Sequence, residues 1–156
     1  MIYNSIVKGR FISRPNRFIA YAEIDGKEEI CHVKNTGRCR ELLIPEADII
    51  LEISDNPNRK TKFDLISVYK NGRLINIDSQ APNKIAAELL PKLFPDYIIK
   101  PEQKYKNSRF DFYLESANKR AFAEVKGVTL ENENIVMFPD APTCLLYTSP
   151  SPRDCS

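Results

Sequence analysis

Turn signals limit what this chain can fold into more than any other feature. Asp25-Gly26 and Asn71-Gly72 are two-residue hairpin signals, because a type I′ turn needs positive φ at both central positions. Each lies between short runs that read as strands: 6–12, 17–24, 29–33, 49–53, 63–69 and 74–77. Five or six strands with turns about every ten residues fit a small β-barrel or sandwich. Helix in this part is confined to a short turn at 40–44.

The pattern changes at Pro82. Asn83 can cap a helix whose apolar positions are Ile85, Ala86, Leu89, Leu90 and Leu93, and Pro95-Asp96 stops it. Strand-like runs return at 97–99, 110–114, 121–125, 128–130 and 135–138. A helix followed by antiparallel strands makes the fold class α+β. The predicted organisation is a barrel domain at 1–80, a second domain at 81–143, and a tail at 144–156 that belongs to neither.

The tail reads Cys144-Leu145-Leu146-Tyr147-Thr148-Ser149 and onward to Ser156, without helical or strand period. Its first six residues back-translate to the transposon-end adapter used in sequencing libraries. The chain therefore reads as a fragment that runs into adapter sequence after Thr143, and the tail is left out of fold reasoning. No apolar stretch approaches the ~20 residues of a membrane span, and the first residues lack a signal-peptide h-region. The expectation is a soluble, cytoplasmic protein. Cys31 and Cys39 form no CxxC pair and read as small reduced side chains.

Charge is nearly balanced overall, at net +2 over 156 residues, but it is unevenly spread. Most of the barrel's cations fall in three short segments beside turn residues. These are Lys8, Arg10, Arg14 and Arg17; then Lys34, Arg38 and Arg40; then Arg59, Lys60 and Lys62. If the turns converge, they make a surface that releases phosphate counterions. Asn35-Thr36-Gly37 adds a candidate anion nest. Phe11, Phe18, Tyr21 and Phe63 either stack bases or fill the core, and the core fits them better. The cations read equally well as a solvated surface. His32, the single histidine, reads as structural, since a lone histidine anchors no ordinary zinc site.

The second domain carries the candidate chemistry. Ser108–Leu114 and Ala121–Val125 read as two strands of a hairpin. Closed symmetrically about Ala117-Asn118, it places Asp111 opposite Glu124, with Lys126 on the same face. Paired carboxylates repel unless protonated or bound to a cation, and Mg²⁺ suits two of them plus substrate oxygens. The Val125 carbonyl could add a ligand. A cross-strand Glu–Lys–Arg network on a wet face is an equally good reading of the hairpin alone.

The Asp111…Glu124-x-Lys126 pattern resembles the PD-(D/E)XK nuclease core. The surrounding words are more specific. Arg14-Pro15-Asn16-Arg17-Phe18, His32-Val33-x-Asn35-Thr36-Gly37-Arg38, Asn56-Pro57-Asn58-Arg59-Lys60-Thr61-Lys62, Ser108-Arg109-Phe110-Asp111-Phe112, Glu124-Val125-Lys126-x-Val128-Thr129-Leu130 and Phe138-Pro139-Asp140-Ala141-Pro142-Thr143 resemble the SfsA (sugar fermentation stimulation protein A) family, in order, over residues 1–143.

The resemblance implies a two-domain fold: an N-terminal OB-like barrel followed by an incomplete PD-(D/E)XK nuclease-like α/β domain. It implies that the barrel binds nucleic acid, DNA before RNA, through Arg10, Arg14, Arg17, Lys34, Asn35, Thr36, Arg38, Arg59, Lys60 and Lys62. It implies Mg²⁺ at Asp111 and Glu124, with Lys126 completing the catalytic set and Glu88 on the helix a secondary ligand candidate. A solvated helix face explains Glu88 more simply. Two rival functions remain open: a non-catalytic DNA-binding regulator of sugar (maltose) metabolism genes, and a single-strand chaperone using the barrel alone. Two departures stand out. The family continues past Thr143 into a Glu-Arg-Gly segment and a long helix where this chain has Cys144. Glu46 follows Pro45 where the family usually has glycine.

Overall fold

The computed structural model describes residues 1–35, 37–132 and 135–137. Its first part is built from β1 (Ile6–Ser13), β2 (Ile19–Ile24), β3 (Lys27–Val33), β4 (Asp48–Ile53), β5 (Phe63–Lys70) and β6 (Arg73–Asn76). β1 lies between β2 and β4, β3 pairs with β2 and β5 with β4, all antiparallel. The ring closes where β3 pairs in parallel with β5, through Cys31↔Phe63, His32↔Asp64 and Val33↔Leu65. The resulting circuit β1-β2-β3-β5-β4 is the five-stranded OB arrangement, with β6 extending β5 at the rim.

Local chemistry explains the ring. Asp25 and Gly26 (φ 50° and 75°) and Asn71 and Gly72 (φ 51° and 74°) turn β2 into β3 and β5 into β6, as the hairpin signals require. Alternation then directs Phe11, Ala20, Ala22, Cys31, Val33, Ile49 and Leu51 inward. β5 is buried along Phe63–Val68, because it is covered on both faces at the closure. Gly9 is needed where β1 coils: a Cβ there would meet the Glu23 carbonyl at 2.8 Å. Of the aromatics, Phe11 and Phe63 are core residues, whereas Phe18 is 52% exposed.

Contacts divide the chain after Ile85. Helix α1 spans Ala81–Leu93. It starts two residues before the expected Asn83 cap, because Asp78 holds the entry: its Oδ1 accepts from Gln80 N and its carbonyl from Ala81 N. Pro82 is tolerated in the first turn, where no intrahelical N–H partner is required. Ile85, Leu89 and Leu93 form the expected stripe and are each about half exposed.

The second unit contains β7 (Ile98–Tyr105), β8 (Ser108–Glu115) and β9 (Arg120–Ala123) in one antiparallel sheet, and β10 (Leu130–Asn132) with β11 (Ile135–Met137) in another. β7 runs six residues past the expected Ile99. Tyr105 pairs with Ser108 across a tight turn in which Lys106 takes φ 52°. Phe112 and Leu114 are buried, and the Phe122 ring sits 4.6–5.2 Å from those of Tyr105, Phe110 and Tyr113. No helix among the described residues is long and apolar enough to cross a membrane. Thr36, Phe138 and the tail at 144–156 lie outside the described residues.

Candidate active site and nucleic-acid interface

The β8–β9 hairpin has the register expected from its symmetry: Phe112↔Ala123, Tyr113↔Phe122, Leu114↔Ala121 and Glu115↔Arg120. Continued one step, the same register would set Asp111 opposite Glu124. β9 ends at Ala123, however, short of the expected Val125. The Val125 N–H donates to Asp111 Oδ2 at 2.7 Å, so a side chain takes the place of the ladder carbonyl. The Asp111 carboxylate thus sits at the backbone between Glu124 and Lys126. Lys126 Nζ pairs with Glu124 Oε1 at 2.5 Å. Two carboxylates and an ammonium are assembled by four residues of one hairpin.

Among the described residues, no group of three or more His, Cys, Asp and Glu side chains converges as a metal cage. The donor set is the carboxylates of Asp111 and Glu124. That set fits an ion such as Mg²⁺, which binds one or two carboxylates and keeps several waters. Glu88 lies on the exposed surface of α1, one helical turn from Lys92.

In the barrel, the basic residues divide by what their charges meet. Arg14 is a strut. Its Nη1 donates to the carbonyls of Gly37 and Arg38 at 2.8 and 2.9 Å, and its Nη2 to those of Arg17 and Asn35 at 2.7 and 2.6 Å. Burial pulls its guanidinium below the usual arginine range. Asn35 is also structural: Nδ2 donates to the Ile77 carbonyl, and Oδ1 accepts from Gly37 N.

Arg59 forks onto buried Asp64, at 2.8 Å from Nη1 to Oδ2 and 2.6 Å from Nη2 to Oδ1. Lys34 lies 3.2 Å from Asp64, 3.6 Å from Glu52 and 3.7 Å from Asp78. His32 Nδ1 sits 3.1 Å from Asp64 Oδ1, consistent with a structural histidine. Burial alone would raise the Asp64 carboxyl. Hydrogen bonds from Arg59 and Lys34, with their charges, outweigh it and hold the carboxyl at about 2. Burial opposes the Lys34 charge as well, but Asp64, Asp78 and Glu52 leave its ammonium above the ordinary lysine range. Arg10 pairs with Glu46 at 3.1 Å at the surface.

Arg17, Arg38 and Arg40 are exposed and, among the described residues, form no side-chain hydrogen bond or ion pair. Lys60 is equally unengaged, and Lys62 lies over the Phe63 ring at 5.3 Å. The structure therefore brings Arg17, Arg38, Lys60 and Lys62 forward as surface cations. It engages Arg14, Lys34, Asn35 and Arg59 within the fold, and Arg10 in an exposed pair with Glu46. Sequence reasoning missed the Asp64–Asp78–Glu52 acid cluster; its one legible trace was an aspartate inside the apolar run Phe63–Ile66. It also left Arg40 out of the expected contact set, although that residue belongs to the second basic segment.

An OB barrel with free arginines on its loops, joined to a helix-and-sheet unit carrying an acid–acid–lysine hairpin, defines a two-domain OB-barrel protein. The chain belongs to the sugar fermentation stimulation protein (SfsA) family. A family model described as the SfsA N-terminal OB domain matches residues 12–77, and one described as the sugar fermentation stimulation protein RE domain matches residues 80–144.

The sugar fermentation stimulation protein homolog of Clostridium beijerinckii is 65% identical, over 92% of this chain and 65% of its own length. That of Desulfitobacterium hafniense (strain Y51) is 61% identical, over 92% and 64%. A solved structure of Pyrococcus furiosus SfsA in complex with Ca²⁺ is similar with a TM-score of 0.76 and 29% identity, over 92% of this chain and 64% of that one. The chain spans about two thirds of the length of the relatives it matches.

Proposed function

We propose that the protein binds nucleic acid, with DNA as the partner, through the free cations of its barrel. We propose further that the intact, cytoplasmic protein hydrolyses phosphodiesters in the manner of a PD-(D/E)XK nuclease. The observation that supports the second part is the hydrogen bond from Val125 N to the Asp111 carboxylate, just beyond the β8–β9 ladder, with Lys126 paired to the adjacent Glu124. Asp111 and Glu124 would hold Mg²⁺, and the ion would supply charge neutralisation at the scissile phosphate. The Ca²⁺ in the P. furiosus structure supports a family taste for hard divalent ions, since Ca²⁺ takes the same oxygen ligands.

The residues' own roles follow from their placement. The hydrogen bond from Val125 N fixes Asp111 Oδ2 at the backbone beside Glu124. Lys126 orients a water for attack on phosphorus and offsets charge building on the phosphate oxygens. The water oxygen forms the new P–O bond as it gives up a proton to solvent, the bond to the leaving oxygen breaks, and that oxygen takes up a proton from solvent.

In a chain of the relatives' full length, Asp111→Ala should abolish Mg²⁺-dependent cleavage of DNA and leave DNA affinity within about twofold. Persistent cleavage in that variant would sink the catalytic assignment. The rival reading is a DNA-binding regulator without catalysis. It is favoured by one observation: Lys126 and Val125 N already give Glu124 and Asp111 partners without an ion. It expects preference for one duplex sequence and no cleavage at any Mg²⁺ concentration.

A further inference from the structure

The three free arginines are not scattered. Arg17, Arg38 and Arg40 line one pocket of about 570 Å³ at the end of the barrel, with Phe11, Leu43 and Pro45 among its apolar walls. Among the described residues, no acidic one lines it. Its volume lies within the ~300–1,000 Å³ of small-molecule sites, larger than a phosphate alone needs.

The fold builds this pocket deliberately. Arg14 spends its terminal N–H groups on carbonyls of both bordering loops, so it clamps Arg17 to Arg38 and adds its charge to the pocket, with only the buried Nε left without a partner. Cys39, between Arg38 and Arg40, takes φ 47° and buries its side chain, while its carbonyl accepts from Leu42 N and Leu43 N. A left-handed non-glycine residue costs about 1 kcal/mol or more, and such strain gathers at functional sites. Here the reversal leaves both flanking arginines exposed at the rim.

Three guanidiniums without a counter-acid favour a dianionic group. A phosphomonoester carries about two negative charges, against one for a phosphodiester within a strand. The apolar wall suits a sugar and base beside it. We infer that the pocket seats the phosphorylated terminal nucleotide of a single strand, with its phosphate on Arg17, Arg38 and Arg40. The inference rests on the nucleic-acid reading of the barrel and specifies which part of the polymer enters.

The test uses the full chain and three labelled ten-nucleotide single DNA strands of one sequence, bearing a 5′-phosphate, a 3′-phosphate or neither. One phosphorylated strand should bind about tenfold more tightly than the bare strand. Arg38→Gln combined with Arg40→Gln should erase that preference without moving the melting temperature. Lys60→Gln combined with Lys62→Gln should weaken all three strands alike and keep the preference. Equal binding of the three strands by the unaltered chain overturns the inference but leaves the nucleic-acid reading standing. So does a preference that survives in the Arg38/Arg40 variant. Failure of every single strand to bind overturns the inference, and failure of a duplex of the same sequence as well removes the nucleic-acid reading.

Discussion

Arg14 and Arg17 stand three residues apart in one loop, yet their charges meet different surroundings. Arg14 reaches across to four backbone carbonyls, one of them Arg17's own, and holds two loops together. Arg17 is exposed and, among the described residues, pairs with no acid. The same division separates Lys34 and Arg59, which neutralise Asp64, from Arg38 and Arg40, which pair with no acid among the described residues. Basic clusters in a sequence therefore mix two populations: cations that build the fold and cations that face a partner. Net charge is blind to the difference, because an internal ion pair and a free arginine enter the same count.

Substitutions can break or sharpen that division. The largest effect belongs at Asp64. Asp64→Asn should cost about 3 kcal/mol in chemical denaturation, because Lys34 and Arg59 lose their shared buried counter-charge. An unchanged denaturation midpoint would show that the cluster is not structural. The same carboxyl makes a pH signature. Its folded pKa of about 2 lies below the ordinary 3.8, so its stabilisation is complete above pH ~4 and is lost as pH falls toward 2. Acid titration of stability should show a loss of about 2 kcal/mol across that window in the unaltered chain and little of it in Asp64→Asn.

Next in size is the Arg14 and Arg17 contrast. Arg14→Ala should cost about 2 kcal/mol of stability, since four carbonyls lose their donor. Arg17→Ala should leave stability within about 0.5 kcal/mol and instead flatten the salt dependence of strand binding by about one unit in the log–log slope. Reversed outcomes would dissolve the distinction. The smallest expected effect is at Glu46, which holds φ 70° in a position the family usually gives to glycine. Glu46→Gly removes left-handed strain but frees the unfolded chain and breaks the Arg10 pair. A gain of no more than about 1 kcal/mol should appear as a small rise in melting temperature.

Much of the fold was legible because its information is local. Asp-Gly and Asn-Gly dictate turn geometry, and alternation marks the buried face, so the barrel strands and the β8–β9 register follow from neighbours in sequence. The long β7 was hidden because Pro101 and a run of polar residues mask its pairing with β8. The helix start was displaced because Asp78 competes with Asn83 for the cap, and sequence alone does not rank two good caps. The acid cluster was invisible for a different reason. Glu52 faces Asp64 across the β4–β5 pair, but Lys34 and Asp78 join them only through the β3–β5 closure and the return of the chain beside it. For the same reason sequence could list the cations but not sort them.

That parallel pairing also sets an order of events during synthesis. β1, β2 and β3 can zip together as neighbours while they leave the ribosome. Cys31–Val33 must wait for Phe63–Leu65 before the ring shuts, and Tyr3 reaches its partner Asp78 later still. Until then the nascent chain carries an open strand edge, and anything that slows elongation over these thirty residues lengthens its exposure to strangers.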